Sequence, residues 1–144
     1  DRIRIGKEEL EEVYQLLNTD TKSKADIAVF GCPHAPLEEI AEIAQFLDGK
    51  KIRDDAFLLI ATAEPIKLLA DRMGLTETVE KSGGLMVTDM CPHIFLFPIS
   101  ATAIGLRRDI NTIATDCTKC AHYAAAQGLK IRYGNVADCI NQVM

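Results

Sequence analysis

The chain has 144 residues, close to half of them apolar, which suffices to bury one real core and leaves too little for a second independent domain, so residues 1–144 are read as a single domain. The net charge of −5 and the scattered Lys and Arg argue against a nucleic-acid groove, for which the pair Arg107-Arg108 is too small. No stretch reaches the roughly 20 apolar residues of a bilayer span and the N-terminus carries no signal-peptide pattern, so a soluble, cytoplasmic protein without a membrane partner is expected.

Lys7 to Leu17 places Leu10, Val13, Tyr14 and Leu17 on one helical face, with Glu8, Glu9, Glu11 and Glu12 near the start, which predicts an amphipathic surface helix. Ile27 to Phe30 is a continuous apolar run of the kind a strand buried on both faces shows. Gly31-Cys32-Pro33-His34 sits at its exit, and Pro36 suits the first turn of a helix whose stripe is Leu37, Ile40, Ala41, Ala44 and Leu47, stopped by Gly49. A second cycle predicts a strand over 56–61, a helix over 65–73, a short helix over 76–81 ended by Ser82-Gly83-Gly84, and a third strand over 85–87.

Asp89-Met90-Cys91-Pro92-His93 leaves that strand and leads into an apolar, irregular segment, 94–106, which either packs under the site or covers an interface. Residues 111–115 read as a fourth strand, 117–127 as a helix ended by Gly128, 130–133 as a fifth strand, and 136–143 as a closing helix carrying Cys139. The repeated strand-helix order predicts an α/β domain with a mostly parallel sheet, helices on both faces and right-handed crossovers, a Rossmann-like or aconitase-like three-layer arrangement.

In such folds the loops at the carboxyl ends of the strands build the site. Both Cys-Pro-His triplets fall there. A proline after each cysteine fixes its own φ and pushes the cysteine out of the helical region, holding the thiol in a defined direction. Five cysteines in an apparently intracellular chain point to buried thiols, metal ligands or catalytic groups rather than a disulfide framework.

Cys117-Thr118-Lys119-Cys120 is a C-x-x-C at an expected helix start, where the dipole lowers a thiol pKa, so thiol-redox chemistry is one reading. A structural zinc site would need a second close pair, which the spacing does not supply. Lys119 can share a helical face with His122 or Tyr123, offering an anion-binding ammonium and proton donors; the plain alternative is a solvated Lys119 and a Tyr123 packed in the core.

The segment from Ala25 to Ile40 resembles the G-C-P-H-x-x-L-E-E element of the aconitase X family. Three further stretches agree in order and approximate spacing. Asp89-Met90-Cys91 resembles its D-x-C element, residues 115–123 its T-N-S-x-K-x-A-H-Y element, and residues 135–140 its C-terminal segment ending in Cys-(Val/Ile). The family's catalytic chain is longer, so the resemblance is to its C-terminal part; the opening Asp1, in place of a start Met, fits an excised or processed piece.

The resemblance implies a hydro-lyase that removes water from a small hydroxy acid with an iron-sulfur cluster, [4Fe-4S] or smaller, as Lewis acid. It implies Cys91 and Cys139 as metal ligands, with a third ligand from the upstream part of the catalytic chain, and a small swivelling subunit or domain that closes over the site. It further implies Lys119 and His122 as catalytic groups and His34 and Tyr123 as substrate contacts, with Cys32 either a fourth metal ligand or a substrate contact lining the pocket. Cys32 within G-C-P-H favours the archaeal branch, which dehydrates mevalonate 5-phosphate, over the branch acting on cis-3-hydroxy-L-proline. Asp116 and Cys117 stand where the family pattern has Asn and Ser. That departure keeps open a non-catalytic binding module, or a thiol-redox protein using Cys117 and Cys120.

Overall fold

The fold is that of a computed structural model describing residues 2–96 and 110–144. After helix α1 (Lys7–Leu17) come β1 (Ile27–Phe30), α2 (Leu37–Leu47), β2 (Phe57–Thr62), α3 (Glu64–Arg72), α4 (Leu75–Ser82) and β3 (Leu85–Thr88). A 3-10 turn (Pro92–Leu96) follows; after residue 110 lie β4 (Thr112–Thr115), α5 (Thr118–Ala126), β5 (Lys130–Tyr133) and α6 (Val136–Asn141). The predicted elements are all present with shifts of one or two residues at their ends. Most of the apolar segment 94–106 lies outside the described residues.

The strands form one sheet in the order β3-β2-β1-β4-β5, with every neighbouring pair parallel. The central strand β1 is buried along its whole length, as its unbroken apolar run requires. Its side chains alternate between two cores: Ala28 and Phe30 pack with α2, α3, α4 and α6, while Ile27 and Val29 pack with α1 and α5. The same alternation divides Leu58 and Ile60 from Leu59, and Ala114 from Ile113. These two clusters are the two faces of a three-layer α/β domain.

Local chemistry fixes the element ends. Glycines with left-handed φ bracket α4, Gly74 at +75° and Gly83 at +97°. Asn135 caps α6 by accepting the Asp138 N–H at 2.8 Å. The outer edge of β5 is covered by the chain after α1: the Asn18 side chain donates to the Tyr133 carbonyl at 2.6 Å and accepts its N–H at 2.9 Å, and Asp20 N–H donates to the Ile131 carbonyl at 3.2 Å. An edge strand with its polar groups paired in this way is closed to further pairing. Among the described residues no helix is long and apolar enough to cross a membrane.

The chain builds outward from β1 through β2 to β3 and then returns to lay β4 on the other side of β1. The connections leaving β1 and β4 therefore diverge, α2 to one face and α5 to the other. The crevice between them is the topological switch point, where ligands bind in sheets of this kind.

Candidate active site

Gly31 makes the turn out of β1 with φ of +84°. A Cβ there would lie 1.9 Å from the Ala61 carbonyl oxygen and 2.9 Å from Ala35 N, so only glycine fits. The loop then lies on the end of β2: Ala35 N–H donates to the Ala61 carbonyl at 2.8 Å and the Thr62 hydroxyl to the Ala35 carbonyl at 2.7 Å. Next to it, Asp89 takes a left-handed φ of +54° and its N–H donates to the Thr62 carbonyl at 3.0 Å. Its Oδ1 accepts from Glu64 N–H, the first residue of α3, at 3.3 Å. The two Cys-Pro-His loops then meet through His34 Nε2 and the Met90 carbonyl, 3.3 Å apart.

Between the loops opens a cavity of about 380 Å³ lined by Cys32, His34, Asp89, Cys91 and Lys119 among others. It combines thiols, an imidazole, a carboxylate and an ammonium at the mouth of the crevice. Cys91 is exposed, whereas Cys32 is 5 % exposed. Burial, reinforced by the neighbouring Cys117 thiol, pushes the Cys32 thiol up to about 11, so on its own it is protonated at neutral pH. Cys117 donates from Sγ to the Cys32 carbonyl oxygen. Cys120 is fully buried on the inner stripe of α5 and is pushed up to about 12, chiefly by burial.

Four sequence-predicted site residues, Cys32, His34, Cys91 and Lys119, thus share one cavity. His122 and Tyr123 lie one turn further along α5, both exposed, with their rings 5.6 Å apart. Tyr123 is 51 % exposed, so the expectation of a core tyrosine is corrected: the buried stripe of α5 is Cys120, Ala121 and Ala124. Its ring instead stands 6.0 Å from His93, whose Nε2 meets the Gln127 amide at 2.8 Å. Burial holds the His93 imidazole below the usual histidine range.

Cys139 is elsewhere. It is 1 % exposed in the core shared by α2 and α6, on the sheet face opposite to Cys32 and Cys120, with its Sγ 3.7 Å from the Gly134 carbonyl oxygen. Burial raises its pKa, with Asp116 and Asp138 adding to the effect. The implied pair Cys91 and Cys139 is not brought together in this arrangement.

Sequence reasoning passed over Glu39, read only as part of the L-E-E motif. It is half-buried on α2, its Oε1 is buried without a hydrogen-bond partner, and burial followed by the charges of Asp116 and Glu42 pushes its carboxyl up to about 7. Asp116 at the end of β4 is likewise raised, first by burial. The usable signal was Asp116 standing where the family pattern has a neutral residue.

Residues 25–144 match the family model described as the aconitase X third domain. The chain belongs to the aconitase X family. It is 41 % identical over 123 residues to the phosphomevalonate dehydratase large subunit of Methanocaldococcus jannaschii, covering 85 % of this chain and 28 % of that protein. It is 27 % identical over 139 residues to the cis-3-hydroxy-L-proline dehydratase of Pseudomonas aeruginosa, covering 96 % of this chain and 23 % of that one. The crystal structure of Thermococcus kodakaraensis aconitase X in its holo-form superposes with a TM-score of 0.80 at 30 % identity, covering 99 % of this chain and 34 % of that chain. The chain thus spans about a quarter to a third of the length of these relatives.

An iron-sulfur group, which the sequence resemblance implies, sets a requirement on the donors of this aconitase X domain. Thiolate is the ligand such a group takes, and Cys91 is an exposed thiol on the cavity wall. Among the described residues no three Cys, His, Asp or Glu side chains converge on one point. Of such a donor set, the cavity of the described residues offers one exposed thiol, Cys91.

Proposed function

We propose that this chain is the third domain of an aconitase X dehydratase large subunit whose full enzyme eliminates water from mevalonate 5-phosphate. The observation that carries the reading is the convergence of Cys91, Cys32, His34 and Lys119 on one cavity at the switch point. The 41 % identity to a phosphomevalonate dehydratase large subunit, against 27 % to a cis-3-hydroxy-L-proline dehydratase, supports the substrate.

Hydroxide is a poor leaving group, and a proton beside a carboxylate is only weakly acidic. Cys91, with ligands from the rest of the chain, would hold an iron-sulfur group, which would supply Lewis-acid chemistry for a departing hydroxide. Lys119, in the first turn of α5, presents an ammonium to the substrate's anionic end, reinforced by the helix N-terminus. His34, fixed by the Met90 carbonyl, contacts the substrate through its imidazole, and the buried Cys32 shapes the wall beside it. His122 and Tyr123 line the approach along α5 and exchange protons once the remaining domains and the small subunit close the site. These assignments place no chemistry on Cys117.

The test is the complete large subunit purified without oxygen together with its small partner. Iron with matching acid-labile sulfide, and release of water from mevalonate 5-phosphate, are the expected results. Zinc or no metal, with neither mevalonate 5-phosphate nor cis-3-hydroxy-L-proline dehydrated, would overturn the reading in favour of a binding or thiol-redox module.

A further inference from the structure

Cys32 leaves β1 and Cys117 leaves β4, adjacent parallel strands in register at Ala28 and Ala114. Continuing that register puts Gly31 opposite Cys117, with Cys32 one residue on. Neighbouring strands lie about 4.8 Å apart, so residues just past their ends fall within the separation a disulfide spans. Cys117 meets the Cys32 loop directly, since its Sγ donates to the Cys32 carbonyl oxygen, and both side chains pack in the same core cluster.

We propose that Cys32 and Cys117 form a reversible intramolecular disulfide, a redox modification site at the switch point. The order of events follows from access: Cys117 is partly exposed, whereas Cys32 is 5 % exposed. The oxidant is a hydroperoxide. The Cys117 sulfur attacks one peroxide oxygen, the O–O bond breaks, the other oxygen leaves as alcohol or water, and Cys117 becomes a sulfenic acid. The Cys32 sulfur then attacks the Cys117 sulfur, the S–O bond breaks and water leaves, so two thiols give two electrons to one peroxide. A small dithiol reverses the bond by exchange. Cys120, fully buried, is the less accessible resolving thiol.

A serine, which the family pattern has at position 117, has no such chemistry. The bond ties the loop of Cys32 and His34 to the first turn of α5, which carries Lys119, and all three residues line the same cavity. Loss of activity on oxidation rests on the function proposed above; formation of the bond does not.

The experiment treats the complete subunit, purified with its partner, with hydrogen peroxide, alkylates free thiols and maps peptides by mass without reduction. The expected product is one cross-linked peptide containing Cys32 and Cys117, absent after dithiothreitol, with dehydration reduced several-fold and then restored. Cys117→Ser is expected to keep basal activity, to give no cross-link, and to lose under peroxide only what damage to the metal group removes. Recovery of Cys32 as the free alkylated thiol overturns the proposal, whether Cys117 is then alkylated, sulfinic or joined to Cys120. Because the peptide map is read on the unsubstituted protein, it decides the matter even if the serine variant fails to fold or no dehydration is found.

Discussion

His34 Nε2 stands 3.3 Å from the carbonyl oxygen of Met90, and this one contact joins the loop after β1 to the loop after β3 across the end of β2. Two similar sequence motifs, 59 positions apart by their cysteines (91 minus 32), thereby become one wall of one cavity.

The turn that makes this possible depends on Gly31. Gly31→Ala puts a methyl group 1.9 Å from the Ala61 carbonyl oxygen at a φ of +84°. The expected cost is about 3 kcal/mol, from left-handed strain and displacement of the loop from β2. Chemical denaturation of the purified variant checks it; a change under about 0.5 kcal/mol would show that the loop is free to move away.

Cys91 and Cys139 are expected to behave differently. Cys91→Ala removes an exposed thiol and should lower bound iron with little effect on melting. Cys139→Ala leaves a small void in the core of α2 and α6, costing about 1 kcal/mol, and should leave iron content unchanged. Iron analysis and thermal melts on the same preparations separate the two, and equal iron loss would make Cys139 a ligand alongside Cys91.

Lys119→Met should lower kcat/KM for the hydroxy acid by about 10²-fold or more, the range for losing a positioned acid-base or anion-binding group. Lys119→Arg keeps the charge and should recover the KM while recovering less of kcat. Steady-state kinetics of both variants provide the check. Near-normal kcat/KM in the Met variant would remove Lys119 from the site.

Glu39 gives a pH dependence with a definite sign. Its folded pKa is raised to about 7 from 4.5, so between those values the folded state holds more protons than the unfolded chain. Stability is therefore fully present below 4.5 and declines as pH rises through 7. Since the side chain is partly open to water, the decline is discounted to roughly 1–2 kcal/mol. Glu39→Gln should flatten that slope in denaturation curves between pH 5 and 8, and an unchanged slope would place the proton elsewhere.

The strands were legible because each buried run is short, apolar and bounded by turn residues. The helix α5 was legible in position and misleading in orientation. Tyr123 is its largest apolar group, yet Cys120, Ala121 and Ala124 face the sheet, since small side chains let the helix sit close against β4 and β5. Glu39 gave no separate signal, because its raised pKa comes first from burial in the fold and then from the charge of Asp116, a residue 77 positions away in the chain (116 minus 39).

The sequence by itself determined the α/β class, the order of elements, the placing of both Cys-Pro-His triplets at strand exits and the family resemblance, because periodicity, turn chemistry and motif residues are local properties. The tertiary structure alone decided which thiols meet. Returning β4 to the far side of β1 brings Cys117 against Cys32 and the β3 loop over to His34 and Lys119, while α6 carries Cys139 to the opposite face. Strand order is a global choice of pairing, and no spacing along the chain encodes which face a crossover helix will cover.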